Sequence, residues 1–190
     1  MMREFRCKFM TYQTAMEYMK QIGKKGSILG LANVKELLRR LGDPQNQLAV
    51  IHVAGTNGKG SICTFLDCMY QAEGQRVGRY ISPTLFSYLE RFQINGRQME
   101  KTVFADIFEQ VYPVLQDMRR DGMEIPTAFE VETAIAFCYF VKEKADLVII
   151  ETGMGGREDA TNVVDAPRCT VFASIGMDHM QFLGNTVEEI

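Results

Sequence analysis

The sequence predicts an α/β fold in which a parallel β-sheet is flanked by helices. Three observations predict it. Short apolar runs alternate with longer segments of helical period along the chain. The runs are apolar at nearly every position, the pattern of strands covered on both faces. Glycine-rich turns follow them, and in parallel sheets ligands sit beyond the carboxyl ends of strands. Right-handed crossovers are expected between such strands.

The elements follow in order. Residues 12–22 carry apolar side chains at helical spacing (Tyr12, Ala15, Met16, Met19) and end at Gly23. Residues 31–41 repeat the pattern with Leu31, Val34, Leu37, Leu38 and Leu41, stopping at Gly42 with Pro44 beyond. Residues 48–53 read as a first buried strand, 55–60 as a turn, 61–73 as a helix closed by Gly74, and 76–81 as a second strand. An Asn95-Gly96 turn between residues 91–94 and 97–99 predicts a small hairpin. Residues 103–120 form an amphipathic pattern closed by Gly122, with Pro113 expected to kink it. Residues 128–144 are apolar almost all round, hence a buried helix. Residues 146–151 and 169–174 predict a third and a fourth buried strand, and 186–190 the first turn of another helix.

Size and composition agree with one large domain. The 190 residues exceed the ~150 of an average domain, enough to bury a core without metal or disulfide staples. Hydrophobic residues are 46% and charged residues 24%, which excludes disorder, collagen and coiled coil as the main state. Net charge is −3 with no basic run, against a dedicated nucleic-acid binder. No stretch of 18 or more residues is wholly apolar, so no membrane partner is expected. The N-terminal Arg3, Glu4, Arg6 and Lys8 leave no apolar run for a signal peptide. Five cysteines (Cys7, Cys63, Cys68, Cys138, Cys169) are an odd number without a CxxC pair. Cys63, Cys68 and Cys138 sit in apolar or helical surroundings, so reduced core thiols in a cytoplasmic protein are expected.

Chemistry concentrates first in Ala54-Gly55-Thr56-Asn57-Gly58-Lys59-Gly60-Ser61, between a strand and a helix. Glycines let the backbone curl around phosphate oxygens, and consecutive amides form an anion nest. The helix N-terminus adds its positive end, and Lys59 a mobile charge for β- and γ-phosphates. The usual phosphate loop has its first Gly five residues before Gly-Lys and Ser or Thr directly after the Lys. Here Gly55 is only three before Gly58, and Gly60 separates Lys59 from Ser61, so the loop is a variant. The plainer reading is a glycine-rich turn with a surface lysine, but the flanking strand and helix favour phosphate.

Glu151 ends the run Leu147-Val148-Ile149-Ile150. A carboxylate there can hold Mg²⁺ beside a phosphate loop; a solvent-facing strand-end Glu fits as well. The following Gly153-Met154-Gly155-Gly156-Arg157 permits close approach of a ligand. His179, past the last strand on the same rim, can ligate metal or position substrate; an exposed loop histidine fits equally. His52 lies inside a strand and reads as a satisfied core histidine. The Ser82 hydroxyl could reach a cation, although on its own it reads as a turn Ser before Pro83.

Together, HVAGTNGKGS (52–61), YISPTLFSYLERFQING (80–96), TAFEVETAIAF (127–137), ETGMGGREDATN (151–162) and IGMDHMQFLGNT (175–186) resemble the N-terminal part of the folylpolyglutamate synthase/dihydrofolate synthase family. That family lies within the peptidoglycan-precursor (Mur) ligases. The resemblance runs from about Tyr12 onward. It implies a P-loop NTPase-like central domain, with Thr56, Asn57, Gly58, Lys59, Gly60 and Ser61 on ATP phosphates. It implies Ser82, Glu151 and His179 on Mg²⁺, where the generic loop rule would give that role to Ser61. Segments matching Thr127, Ala128, Phe129 and Glu130, and Glu158, Asp159 and Ala160, line the pteroate pocket. Lys59 and His179 are the catalytic candidates. Two positions depart from the family pattern, Thr84 for the usual His and Leu89 for the usual Asn, and they leave pterin preference open.

The implied activity is ATP-driven, ADP-forming addition of L-glutamate to folate or dihydropteroate through an acyl phosphate, by a monomer acting on small molecules. The family continues with a helix bearing a carbamylated lysine and with a C-terminal glutamate-ligase domain. Residues 1–190 are therefore expected to be an incomplete ATP-binding domain, inactive or nearly so alone. The rivals are another phosphate-loop NTPase or phosphotransferase, which would need Ser or Thr directly after Lys59, and a non-catalytic nucleotide-binding module. A peptidoglycan-precursor ligase is disfavoured by Gly60 and GGREDATN.

Overall fold

The computed structural model describes residues 10–24, 26 and 29–190. The charged segment around Arg6, with Cys7, lies outside the described residues. Helices α1 (Tyr12–Gly23) and α2 (Ala32–Arg40) lead into β1 (Val50–Ala54), α3 (Lys59–Ala72) and β2 (Val77–Tyr80). The hairpin β3 (Phe92–Ile94) and β4 (Arg97–Gln98) follows, then α4 (Lys101–Arg120), α5 (Ala128–Lys142), β5 (Leu147–Glu151), β6 (Cys169–Phe172) and the short α6 (Met180–Leu183).

The strands form one sheet in the order β4-β3-β2-β5-β1-β6. β2, β5, β1 and β6 are parallel, so their carboxyl ends share one rim. Val53 pairs with Glu151, and His52 with Ile150 on one side and Thr170 on the other. The hairpin adds antiparallel to β2. Its turn residues Asn95 and Gly96 have φ of 47° and 72°, the doubly positive pair that a type I′ turn requires.

Local chemistry sets the helix starts. The Thr11 hydroxyl accepts the Thr14 amide at 3.2 Å to open α1. At α5, Thr127 and Glu130 form a reciprocal capping box, in which Thr127 Oγ1 accepts the Glu130 amide and the Thr127 amide donates to Glu130 Oε2 at 2.7 Å. α3 begins at Lys59, two residues ahead of the sequence expectation, because Gly58 turns the chain with φ of 87°. α4 runs as one element through Pro113, which is exposed, as is Glu109 one turn back. The carbonyl that the ring displaces therefore faces water, and the helix is not broken.

One sheet face carries the main core. Tyr18, Leu37, Phe92, Phe104, Phe108, Phe137 and Phe140 are fully buried there, each contributing roughly 1.5–3 kcal/mol by leaving water. α5 is buried nearly all round, as its composition predicts. On the other face α3 covers a smaller cluster of Ile51, Val53, Cys63, Val77, Leu147 and Ile149. Gly78 lets β2 approach α5 closely, since a Cβ there would lie 2.6 Å from the Phe140 ring.

Two expectations need correction. β6 is not buried; it is an edge strand among the described residues, with only Val171 half-covered and Phe172 70% exposed. Cys68 is exposed on α3 rather than in the core, because only the Cys63 side of that helix meets the sheet. Residues 186–190 make the single turn expected of them: the Glu189 and Ile190 amides both donate to Thr186 O at 3.2 Å, and Thr186 Oγ1 accepts the Glu189 amide at 3.3 Å. Among the described residues no helix is long and apolar enough to cross a membrane.

Candidate nucleotide and substrate site

The rim at the carboxyl ends of β1, β5 and β6 gathers the sequence candidates. The loop after β1 is braced from β6: Ser174 O accepts the amides of Thr56 at 2.8 Å and Asn57 at 3.3 Å. Thr56 Oγ1 donates to Gly176 O and accepts the Gly176 amide, at 3.1 and 3.0 Å. Gly55, with φ of 135°, lies so close to Ala173 that a Cβ would meet Ala173 Cβ at 2.9 Å. The Thr56 and Asn57 amides are thus engaged within the protein. The anion nest narrows to the start of α3, where Lys59, Gly60 and Ser61 have no carbonyl one turn back and no side chain caps the end. Lys59 Nζ donates to Gly55 O at 2.7 Å and Thr56 O at 3.2 Å, holding its charge against the loop.

Glu151 does not face solvent; it is buried at the end of β5. Burial pushes its carboxyl pKa up, while Lys59, a hydrogen bond from the Ser82 amide, and Arg79 pull it down. Gly60 abuts it, since a Cβ there would lie 3.7 Å from Glu151 Oε2. Lys59, Gly60, Ser82 and Glu151 therefore meet at one point. His179 is half-exposed, with Nε2 3.9 Å from Asp178 Oδ2. Among the described residues no three His, Cys, Asp or Glu side chains gather to hold a metal. Ser82, Glu151 and His179 offer one hydroxyl, one carboxylate and one imidazole. Mg²⁺ is ordinarily held by one or two carboxylates with phosphate oxygens and water completing its shell, so a desolvated carboxylate beside a phosphate loop fits the ion.

Two clefts open on this rim and share Gly153, Met154 and His179. The smaller, about 190 Å³, also reaches Gly55, Thr56, Lys59 and Arg157. The larger, about 530 Å³, is bordered by Ser82, by all of Thr127, Ala128, Phe129 and Glu130, and by Glu158, Asp159 and Ala160. Several of these side chains already have partners. Glu130 Oε2 is held by the α5 cap. Asp159 accepts the Met154 amide at 2.7 Å and the Thr161 hydroxyl at 2.6 Å. Phe129 stacks on Tyr80 at 6.1 Å and presses on Gly153, where a Cβ would lie 2.5 Å from the ring. These contacts give the larger cleft a fixed wall.

The sequence reading missed a polar cluster beside this wall. Arg91 pairs with buried Glu132, Tyr88 Oη donates to Glu132 Oε1 at 2.9 Å, and Arg91 lies 4.5 Å over the Tyr88 ring. Burial raises the Glu132 pKa and Arg91 opposes it. The signal was present: Glu132 is a second carboxylate on an otherwise apolar helix. Leu85 and Phe86, 85% and 94% exposed, stand nearby on a loop whose amides donate to Glu90 Oε2 at 3.2 Å. Burial pushes the Cys63 thiol up to about 12 and the Cys138 thiol to about 11, so both are protonated at neutral pH.

A parallel sheet with a glycine-rich loop after its first strand, and a carboxylate on the neighbouring strand tip, is the framework of a phosphate-loop domain, and the chain belongs to the Mur ligase middle-domain family, whose profile matches residues 53–190. Within that family its relatives are folylpolyglutamate and dihydrofolate synthases. It is 43% identical over 183 residues to the dihydrofolate synthase/folylpolyglutamate synthase of Bacillus subtilis, covering 96% of this chain and 42% of that protein. A structure of E. coli FolC in complex with DHPP and ADP superposes with a TM-score of 0.85 at 35% identity, covering 94% of this chain and 42% of that one. A folylpolyglutamate synthase in complex with AMPPCP and folate gives a TM-score of 0.86 at 31% identity, covering 95% and 44%. The chain thus spans less than half the length of the relatives it matches.

Proposed function

We propose that this chain supplies the nucleotide site and the pteroate wall of an ATP-dependent ligase that joins L-glutamate to folate or dihydropteroate. The observation that carries the reading is the sharing of Gly153, Met154 and His179 by the phosphate-loop cleft and the larger cleft. An acid in one would then lie next to a triphosphate in the other. The substrate carboxylate attacks the γ-phosphorus, the β–γ bridge breaks, and acyl phosphate and ADP form. The glutamate amine then displaces phosphate, losing a proton and leaving the amide.

A negative carboxylate must approach a negative triphosphate, so the chemistry demands neutralised charge. Lys59 and the amides opening α3 would supply it on the phosphates. Ser82, Glu151 and His179 would hold Mg²⁺, which when bound adds positive charge at the transferring group. His179, which lines both clefts, would orient the carboxylate. Thr127, Ala128, Phe129, Glu130, Glu158, Asp159 and Ala160 would enclose the pteroate. Thr56 and Asn57 would shape the loop rather than donate amides. No enzyme nucleophile is needed, in keeping with protonated Cys63 and Cys138. The reading carries with it a cytoplasmic monomer working on small molecules.

Equilibrium binding tests it. The chain is expected to bind an ATP analogue more tightly with Mg²⁺ than without, and to bind dihydropteroate or folate. Failure to bind nucleotide under either condition would reject the reading. Glutamate incorporation by these 190 residues alone is expected to be negligible, and robust turnover would overturn that part.

A further inference from the structure

The wall of the larger cleft is held from behind by a buried histidine. His52, on β1, places Nε2 2.8 Å from Thr161 Oγ1. That hydroxyl donates to Asp159 Oδ1 at 2.6 Å, and the Thr161 amide donates to the same oxygen at 3.0 Å. Asp159 Oδ2 accepts the Met154 amide at 2.7 Å. His52, Thr161 and Asp159 are 7%, 0% and 3% exposed, so water does not compete for these bonds. A hydroxyl has one proton, and Thr161 gives it to Asp159. The bond to His52 must therefore run the other way, from Nε2–H to Oγ1, which fixes the imidazole tautomer. Burial lowers the His52 pKa and Asp159 opposes it.

The chain of bonds ends at Met154, which lines both clefts with its neighbour Gly153. Gly153 is confined between the Phe129 ring and Asp159 Oδ2, where a Cβ would lie 2.5 and 3.1 Å from them. A rotation of the Asp159 carboxylate would therefore move Met154 and crowd Phe129 at once. We propose that His52 is a positioning residue: through Thr161 it orients Asp159, and Asp159 holds the 153–156 segment in the form that shapes the cleft. The contact with substrate belongs to Asp159 and Phe129, and His52 acts only through them. This rests on the proposed function for what the cleft holds, but not for the relay itself.

Four variants of the chain test it. His52→Leu removes the donor at similar volume, and His52→Gln puts an amide N–H near the position of Nε2. Thr161→Val breaks the relay, and Thr161→Ser keeps the hydroxyl. The Leu and Val variants should speed hydrogen exchange at the Met154 amide, and weaken dihydropteroate binding, by about tenfold relative to wild type. The Gln and Ser variants should recover most of both. Nitrogen-15 spectra should show a protonated Nε2 and a bare Nδ1 on His52. A proton on Nδ1 would overturn the proposal. So would Met154 exchange that follows global stability alike in all four variants, because His52 would then only fill the core. If wild type binds no dihydropteroate, the proposed function fails, and the relay is still decided by Met154 exchange and the tautomer.

Discussion

Glu151 is held in a state that costs stability. Its carboxyl is buried and its pKa is raised above the ordinary carboxylate value. A raised value means that the native state binds the proton more tightly than the unfolded chain. The associated stability is full below about pH 4.5 and lost as pH rises through the native value. Glu151→Gln is therefore expected to raise the melting temperature at pH 7, with the gap closing near pH 4, while Mg²⁺ no longer strengthens nucleotide binding. A variant that melted lower at pH 7 would contradict the burial argument. His52 has the opposite sign of shift, a lowered pKa. Its contribution is present above the ordinary histidine value of about 6.5 and fades as pH falls below it. Lys59→Ala should reduce ATP affinity by tenfold or more, about the effect of 1.4 kcal/mol, and should lower the melting temperature modestly at pH 7, since it removes the charge that opposes the raised Glu151 pKa as well as two bonds to loop carbonyls.

Most of the elements could be read from period and punctuation. The runs at Val50–Ala54 and Leu147–Glu151 are apolar because both faces are covered, and Asn95-Gly96 specified its turn. β6, Cys169–Phe172, reads as a comparable run but has a different environment: pattern reports what a strand can tolerate, while burial depends on what lies against it. The phosphate loop and the segments bordering the larger cleft were legible as motifs. The engaged amides of Thr56 and Asn57 were not, because their partner Ser174 is more than a hundred residues away. Arg91 and Glu132, too, meet only in three dimensions. Gly78→Ala tests the β2–α5 contact. The new methyl would collide with the Phe140 ring, and overpacking of this kind costs about 1–3 kcal/mol, measurable by urea denaturation. Thr127→Ala should cost about 1 kcal/mol through the lost cap, and more from leaving the buried Glu130 carboxylate without that hydroxyl.

At the scale of the molecule the two sheet faces are unequal. On one, α5 carries a second layer of α1, α2 and α4 that completes the main core; on the other, α3 is the helix that packs on the smaller cluster among the described residues. α3 also shows water an apolar pair one turn apart, Phe65 and Met69, at 68% and 64% exposure. Local stability should follow this asymmetry. Amides of β1 and β5, central and buried, should exchange most slowly, and those of α6 and the outer side of β6 orders of magnitude faster. Comparable protection across β1 and β6 would refute the description of β6 as a bare edge. The brace between Ser174 and the phosphate loop also gives the protein a chronology. The loop is made first, and the Ser174 to Gly176 segment that clamps it follows more than a hundred codons later. Until that segment arrives, the newborn polypeptide carries the motif without its grip.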